Sequence, residues 1–389
     1  MPTRSIKIID DIVKDGLDSI AEGYEIVPDM DGADAVLMRS TDIHGVEVPA
    51  SVRAIARAGA GTNNIPAKDL AKQGVVVFNT PGANSNAVKE LVIGLLMMGS
   101  RDVLGGMQWC RQHEDDPDAY KAAEASKKAF VGQEVRGRKI AVIGLGAVGS
   151  KVANACIDLG MDVYGYDPYL SVDHAWQLSR DVKRVSDVAE LCAGADYLTV
   201  HVPRKSDTIG MVSDELLDLL NPGAVVLNYA REDIVDEDAI ERAIDKGQVS
   251  TFFTDFATRK ALHLSHTLVT PHAGAGTVEA EASCARMAIH ELVDYLENGN
   301  ITNSVNFPDC HMGTCRGASR IACLHANVPG MIGQITAVLS NASANVQRMT
   351  NENAGEAAYT MFDTDEHLEP RIIDALRDIP QMWRVRVIQ

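Results

Sequence analysis

Three stretches of the chain hold residue types that together could move a hydride and a proton. Gly144-Leu-Gly-Ala-Val-Gly149 follows the apolar run Lys139–Ile143 and opens a helical pattern. Gly144 suits a tight turn, Gly146 lets the backbone approach a diphosphate, and Gly149 lets helix and strand pack closely. The helix N-terminus adds N–H donors and the positive end of its dipole. Asp167 follows the run Asp162–Tyr166, about 20 residues beyond the glycines. Its carboxylate can accept from ribose hydroxyls and would repel a 2′-phosphate, which favours NAD over NADP. Asn228-Tyr-Ala-Arg231 and Thr270-Pro-His272-Ala-Gly274 each follow an apolar run. Arg231 offers a planar fork for a carboxylate and can polarise a neighbouring carbonyl. His272 can take a hydroxyl proton as hydride leaves. Singly, these residues also fit a ligand-free turn, a loop carboxylate, a solvated arginine and a turn histidine; together they point to a dinucleotide-dependent oxidoreductase.

The elements that must position them are legible as two layered series. Runs at Ile6–Ile9, Ala35–Met38, Ala54–Arg57 and Val75–Phe78 alternate with helical stretches, as in a parallel α/β layer. A helix over Ser85–Gly99 carries Val88, Leu91, Val92, Leu95 and Leu96 on one face and would bridge to the next domain. After the charge-dense stretch Arg111–Lys128, a second βαβ series places strands at about 139–143, 162–166, 197–201, 224–228 and 251–255. Arg231 and His272 then lie at carboxyl ends of parallel strands, the edge where such sheets bind ligands. A helix over Val278–Asn298 returns after this series, so the chain crosses back to the first domain. From Arg320, elements at 320–326, 330–341, 345–350, 357–363, 367–378 and 383–388 read as a ferredoxin-like βαββαβ unit. The expected architecture is α/β: two Rossmann-like or flavodoxin-like parallel-sheet domains plus a C-terminal ferredoxin-like α+β domain. Residues 1–98 with 289–308 form the first, 99–288 the second, 309–319 a linker and 320–389 the last.

Composition narrows the function classes. At 389 residues the chain exceeds one ordinary domain, and 46% hydrophobic with 23% charged residues is a globular composition. A formal net charge of −18 argues against nucleic-acid binding, which needs a basic face, but local cations can still focus a small anion onto a site. Met1–Asp11 has no long apolar region, and Leu91–Met98 is far shorter than the roughly 20 residues of a membrane span, so neither secretion nor membrane insertion is expected. Seven scattered cysteines, an odd number, suit a reducing cytoplasm. Cys310, His311 and Cys315 lack the second pair a zinc site requires, so no metal is expected.

With Arg57-Ala-Gly-Ala-Gly61, Phe78-Asn-Thr-Pro81, His201-Val-Pro203, Val235-Asp236 and Thr254-Asp255 added in order and spacing, most of residues 1–310 resembles the D-isomer-specific 2-hydroxyacid dehydrogenases. The resemblance implies catalytic roles for Arg231 and His272. It also implies NAD contacts at Ala147, Val148, His201, Val202, Pro203, Thr208 and Asp255, beside the glycines and Asp167, and a homodimer or homotetramer. One departure stands out. The family usually places a glutamate about five residues after the aspartate matched to Asp255, where it hydrogen-bonds the histidine; here the segment reads Asp255-Phe-Ala-Thr-Arg-Lys260. A cation there would oppose a protonated imidazole. Lys260 then either binds the substrate's anionic group, acts itself as an acid/base group, or is a surface lysine pointing away.

Arg39-Ser40 at a strand end and Arg57 before the glycine loop, with Asn84, are candidate substrate contacts; the arginines would hold a phosphate or fasten strand ends as salt bridges. The runs Ala58–Pro66 and Asn79–Asn84 look like family members that act on 3-phosphoglycerate. The tail resembles an ACT domain, with His325, Asn327 and Asn345 matching the positions at which serine-sensing members bind L-serine between paired domains. The amides can satisfy an amino acid's ammonium and carboxylate; a plain dimerisation module is the alternative. The resemblance therefore implies NAD-dependent oxidation of 3-phospho-D-glycerate to 3-phosphohydroxypyruvate, the first step of serine synthesis, with possible serine control. A hydroxypyruvate or glyoxylate reductase, or a non-catalytic NAD-sensing corepressor, are the other readings.

Overall fold

A computed structural model describes residues 4–18, 20 and 23–388, so that Met1–Thr3 of the N-terminal stretch lie outside the described residues. The chain divides into two compact units, residues 1–84 with 278–389 and residues 85–277.

The first unit opens with five parallel strands, β1 (Arg4–Ile8), β2 (Tyr24–Val27), β3 (Ala35–Met38), β4 (Ala54–Arg57) and β5 (Val76–Phe78), in the order β2-β1-β3-β4-β5. Every residue of β3 is buried, the continuous apolar reading expected of a parallel strand covered on both faces. β2 was not expected: it is an edge strand with Glu25 and Ile26 exposed, and its mixed pattern carries little signal.

The second unit holds seven parallel strands, β6 (Lys139–Ile143), β7 (Asp162–Tyr166), β8 (Lys183–Arg184), β9 (Tyr197–Val200), β10 (Ala224–Asn228), β11 (Val249–Thr254) and β12 (Thr267–Val269). Their order, β12-β11-β10-β9-β6-β7-β8, reverses direction between β6 and β9, the crevice where doubly wound sheets bind ligands. The Ser85–Gly99 helix belongs wholly to this unit: Val88, Val92, Leu95 and Leu96 share a core with Val142, Leu145 and Val152. The sequence placed this boundary at 98; the apolar face of the helix moves it to Asn84. The return helix, Val278–Asn298, likewise lies in the first unit from its start rather than from 289, and a Cβ on Gly16 would overlap Ala285 Cβ.

The tail forms β13 (Ser319–Ala326), β14 (Val346–Ala354), β15 (Ala357–Thr364) and β16 (Met382–Val387), an antiparallel sheet ordered β14-β15-β13-β16. Helices Met331–Asn341 and Pro370–Arg377 cover one face over Ile321, Cys323 and Phe362. The other face, with Ala322, Leu324, Tyr359 and Met361, joins Leu37, Phe78 and Tyr295 in the core of the first unit. The expected linker is part of that core, since Cys310 and Met312 are buried in it. Side chains of the tail also close the end of the return helix, whose last carbonyls have no partners within the helix. Arg386 donates to Tyr295 O (3.2 Å) and Leu296 O (3.3 Å), Arg320 to Asn298 O (2.9 Å), and Tyr359 to Gly299 O (2.7 Å). Cations there also complement the helix dipole. Arg320 is fully buried and held by a two-point pair to Asp363, at 2.6 and 2.8 Å. Among the described residues, no helix is long and apolar enough to cross a membrane.

Candidate functional site

The glycine loop is tied to three strand ends. Gly144 N donates to Tyr166 O (2.8 Å) after β7, and His201 N donates to Ile143 O (2.7 Å) after β9. Gly144 has φ +88°, and a Cβ there would stand 2.6 Å from His201 O; a Cβ on Gly149 would overlap Gly144 O. Both glycines are thus required by the protein itself. At Gly146 a Cβ would meet nothing within 4 Å, so the loop leaves open space beside Ala147, Val148 and the N-terminus of the Gly149–Asp158 helix. That donor-lined opening fits a dinucleotide diphosphate. Asp167 faces the loop, its carboxylate accepting from Leu145 N (2.9 Å) on one oxygen and Tyr169 N (2.8 Å) on the other.

The other expected cofactor contacts divide. Burial holds the His201 imidazole down to about 3, hence neutral; its Nε2 lies 2.9 Å from Thr199 Oγ1, and its Nδ1 is buried without a hydrogen-bond partner among the described residues. Val202 is half-buried and Pro203 exposed. The Thr208 hydroxyl is buried and committed to its own loop, donating to Pro203 O (2.7 Å) and accepting from Lys205 N (2.8 Å), so it shapes that loop rather than facing a ligand.

Asp255 is held by its surroundings. It is 4% exposed, and its carboxylate accepts from the Thr270 hydroxyl (2.6 Å), Ala273 N (2.7 Å) and Gly274 N (2.8 Å). His272 N donates to Asp255 O at 3.0 Å. Both carboxylate oxygens are engaged by the turn that carries His272, so Asp255 is built to hold that turn. His272 sits at φ +54°, a left-handed conformation that a non-glycine residue adopts only when its surroundings impose it. Its ring is exposed, meets Phe256 edge-on at 5.4 Å and, among the described residues, forms no ion pair with a carboxylate. Arg231 is exposed on the loop after β10, where the Asn228 side chain accepts from Ala230 N (3.2 Å) and donates to Arg231 O (2.9 Å). Arg231 and His272 therefore stand at the carboxyl-end edge of one sheet, each on a backbone locked by a buried polar side chain.

Lys260 does not join them. Its ammonium pairs with Asp238 and, at 2.9 Å, with Glu241 of the Glu237–Asp245 helix. Two carboxylates hold the charge that the catalytic and anion-binding readings need free.

In the first unit, the Asp10 carboxylate gathers Arg39 N (2.7 Å), Ser40 N (2.9 Å), Thr41 N (3.1 Å) and the Thr41 hydroxyl. Burial pushes Asp10 up, but the Thr41 hydroxyl and these N–H groups outweigh it and hold the carboxyl below its usual range. Arg57 Nε donates to Arg39 O (2.9 Å), bringing both arginines to the carboxyl ends of β3 and β4. The Arg39 guanidinium meets Glu281 at 2.7 Å, within the first unit. Asn84 is half-buried at the end of that unit.

The expected effector residues are not assembled within one chain. His325 is buried, which lowers its pKa, and both ring nitrogens are engaged, Nδ1 with Ala326 O (2.8 Å) and Nε2 with Thr360 Oγ1 (2.9 Å). It is a satisfied core histidine rather than an open ligand contact. Asn327 bonds Gly355 O (3.0 Å) at one end of the sheet and Asn345 bonds Asp365 (2.6 Å) at the other, an eight-residue strand away. Sequence reasoning passed over Asp10 and Glu281, and quoted Thr270 only as part of the His272 motif. Asp10, just past a strand end, offered the faintest cue; the others become visible only through contacts distant in sequence.

Residues 93–274 match the family model described as D-isomer specific 2-hydroxyacid dehydrogenase, NAD binding domain. The chain is 32% identical over 321 residues to a D-3-phosphoglycerate dehydrogenase of Archaeoglobus fulgidus, covering 78% of this chain and 58% of that protein. It is 27% identical over 344 residues to one of Escherichia coli, covering 84% and 79%. The chain thus spans less than two thirds of the length of the archaeal relative. Among solved structures, the NAD+-bound 3-phosphoglycerate dehydrogenase of Entamoeba histolytica is similar at 25% identity and TM-score 0.60, covering 78% of this chain and 99% of that one. Apo D-mandelate dehydrogenase of Rhodotorula graminis shares the fold, at 20% identity and TM-score 0.64 over 78% of this chain and 96% of that one.

Proposed function

We propose that the chain, whose residues 93–274 match the D-isomer-specific 2-hydroxyacid dehydrogenase NAD binding domain, is a dehydrogenase of that kind and oxidises 3-phospho-D-glycerate to 3-phosphohydroxypyruvate. The glycine loop and Asp167 would hold NAD, which when bound would accept the hydride leaving C2. Arg231 binds the substrate carboxylate with its planar fork and draws charge toward the C2 oxygen as the carbonyl forms. His272 takes the proton of the C2 hydroxyl. The observation that carries the reading is the buried Asp255, which fixes the turn of an exposed His272 on the sheet edge that also bears Arg231. Such an arrangement has little purpose in a protein that only senses NAD. Preference for a phosphorylated substrate is assigned to Arg39 and Arg57.

The Arg39–Glu281 pair favours a second reading, a hydroxypyruvate or glyoxylate reductase, because it neutralises one of the two cations. NADH oxidation with 3-phosphohydroxypyruvate, hydroxypyruvate, glyoxylate and 2-oxoglutarate separates the two. A kcat/KM highest for the phosphorylated acid supports the first; equal or better activity on the others replaces it with the second.

Asn327 and Asn345 lie at opposite ends of one tail, so an amino-acid site using both requires a second copy of the chain. We accordingly read the protein as a homo-oligomer whose tails pair to bind L-serine. Sedimentation with and without L-serine, alongside inhibition of turnover, tests both points. We read the setting as reducing and cytoplasmic from the odd number and scatter of the seven cysteines.

A further inference from the structure

We propose that Glu281 is a specificity-determining residue: it competes with the distal anionic group of the substrate for Arg39, and so sets how strongly phosphorylated hydroxyacids are preferred over unphosphorylated ones. The inference rests on the reading that Arg39 receives that group.

Arg39 leaves the carboxyl end of β3 from a backbone with little freedom. Its N–H is held by Asp10 (2.7 Å) and its carbonyl by Arg57 Nε (2.9 Å). What remains adjustable is the side chain. Its guanidinium is 36% exposed and, among the described residues, meets a single side-chain oxygen, Glu281 Oε1, at 2.7 Å. A guanidinium carries five N–H donors in a fixed fork, and a one-point contact leaves geometry for a second anion. Glu281 is 28% exposed, open enough to be displaced but near enough to oppose an arriving anion.

Glu281 is also not an adaptable surface acid. It stands in the first turn of the Val278–Asn298 helix, where the dipole favours a carboxylate. The far end of that helix is fixed by Arg320, Tyr359 and Arg386. The carboxylate is thus presented to Arg39 by a rigid element. A phosphate dianion approaching Arg39 must displace one negative charge and remain beside it. An unphosphorylated keto acid, lacking that group, meets no such competitor. Glu281 should therefore depress kcat/KM selectively for the phosphorylated substrate.

A purely structural role predicts something different: loss of the pair would lower the melting temperature and affect all substrates alike. Steady-state kinetics of the full chain with 3-phosphohydroxypyruvate and with hydroxypyruvate, for Glu281→Gln, Glu281→Asp and Arg39→Met, separates the roles. For a half-exposed, solvent-screened pair the expected gain is modest. Glu281→Gln should raise the phosphorylated-to-unphosphorylated kcat/KM ratio about threefold to fivefold, through KM, with the gain shrinking at high salt. Glu281→Asp, shortened by one methylene, should fall between Gln and the parent and serves if the Gln variant folds poorly. Arg39→Met should raise KM for the phosphorylated acid alone. A ratio unmoved by either Glu281 variant while Arg39→Met raises that KM would overturn the inference and leave the Arg39 reading standing. If Arg39→Met leaves both KM values as they are, the arginine is outside the substrate site and both fall together.

Discussion

Glu291 on the return helix offers a test of folding linkage that needs no substrate. Its side chain is 5% exposed; Oε1 accepts from Asn303 Nδ2 at 2.8 Å, while Oε2 is buried with no hydrogen-bond partner among the described residues. Burial pushes the carboxyl from its ordinary 4.5 up to about 8, the Asn303 bond opposing and Asp309 adding to the rise. The unfolded chain releases this proton near the ordinary value and the folded chain holds it until about 8. Between those limits the folded state binds the extra proton, so stability falls as pH rises and levels off beyond the upper limit. At about 1.4 kcal/mol per pH unit, the gap corresponds to about 5 kcal/mol between acid and alkaline plateaus. Glu291→Gln cannot release a proton, so that component of the slope disappears. Urea unfolding of parent and variant at pH 5, 6.5 and 8.5, followed by tryptophan fluorescence, measures it. The variant should gain on the parent steadily as pH rises, by several kcal/mol at pH 8.5 and little at pH 5. Parallel profiles would refute the assignment and mean that the carboxyl ionises freely in the fold.

Three further outcomes follow from contacts in the second unit. Asp255→Asn removes charge from a buried acceptor of two backbone N–H groups and should cost about 1.5–3 kcal/mol for each weakened bond; kcat should fall at least about tenfold as the His272 turn loosens, measured by turnover and melting temperature together. Lys260→Ala should leave turnover and its pH profile as in the parent and cost no more than about 1 kcal/mol, because the half-exposed lysine is paired with Asp238 and Glu241; an altered pH profile would restore it to the chemistry. Asp167→Asn removes the charge that opposes a 2′-phosphate, so the NADPH-to-NADH ratio of kcat/KM should rise about tenfold, the equivalent of ~1.4 kcal/mol; no change would place the adenosine ribose elsewhere.

Most of this architecture was legible because its signals are local. The buried runs of β3, β6 and β10, the helix over Ser85–Gly99 and the glycine loop each announce themselves within one element. Unit boundaries were less legible. The apolar stripe of Val88, Val92 and Leu95 shows that a helix buries one face but not against which sheet. Edge strands such as β2 and the two-residue β8 lack the burial that creates a pattern. At the site, residue types survived better than roles: Asp255 was recognisable as a functional carboxylate, but only Thr270, Ala273 and Gly274 around it show that it holds a turn. Lys260 was recognisable as an anomaly, yet its partners lie on a separate helix, about 20 residues away. His325 illustrates the same limit in the tail, since Thr360 on the neighbouring strand takes the nitrogen that a ligand would need.

The tail that closes the return helix bears on modularity. A C-terminal α+β segment is ordinarily imagined as an exchangeable attachment that can be cut away or swapped for a different one. Here a transplanted tail would have to bring the equivalents of Arg320, Tyr359 and Arg386 in register with Tyr295, Leu296, Asn298 and Gly299, and re-cover the apolar face that Leu324 and Met361 now occupy. Lineages or engineers discarding it would inherit a frayed helix whose opposite end carries Glu281. The tail is a keystone of its unit before it is anything else.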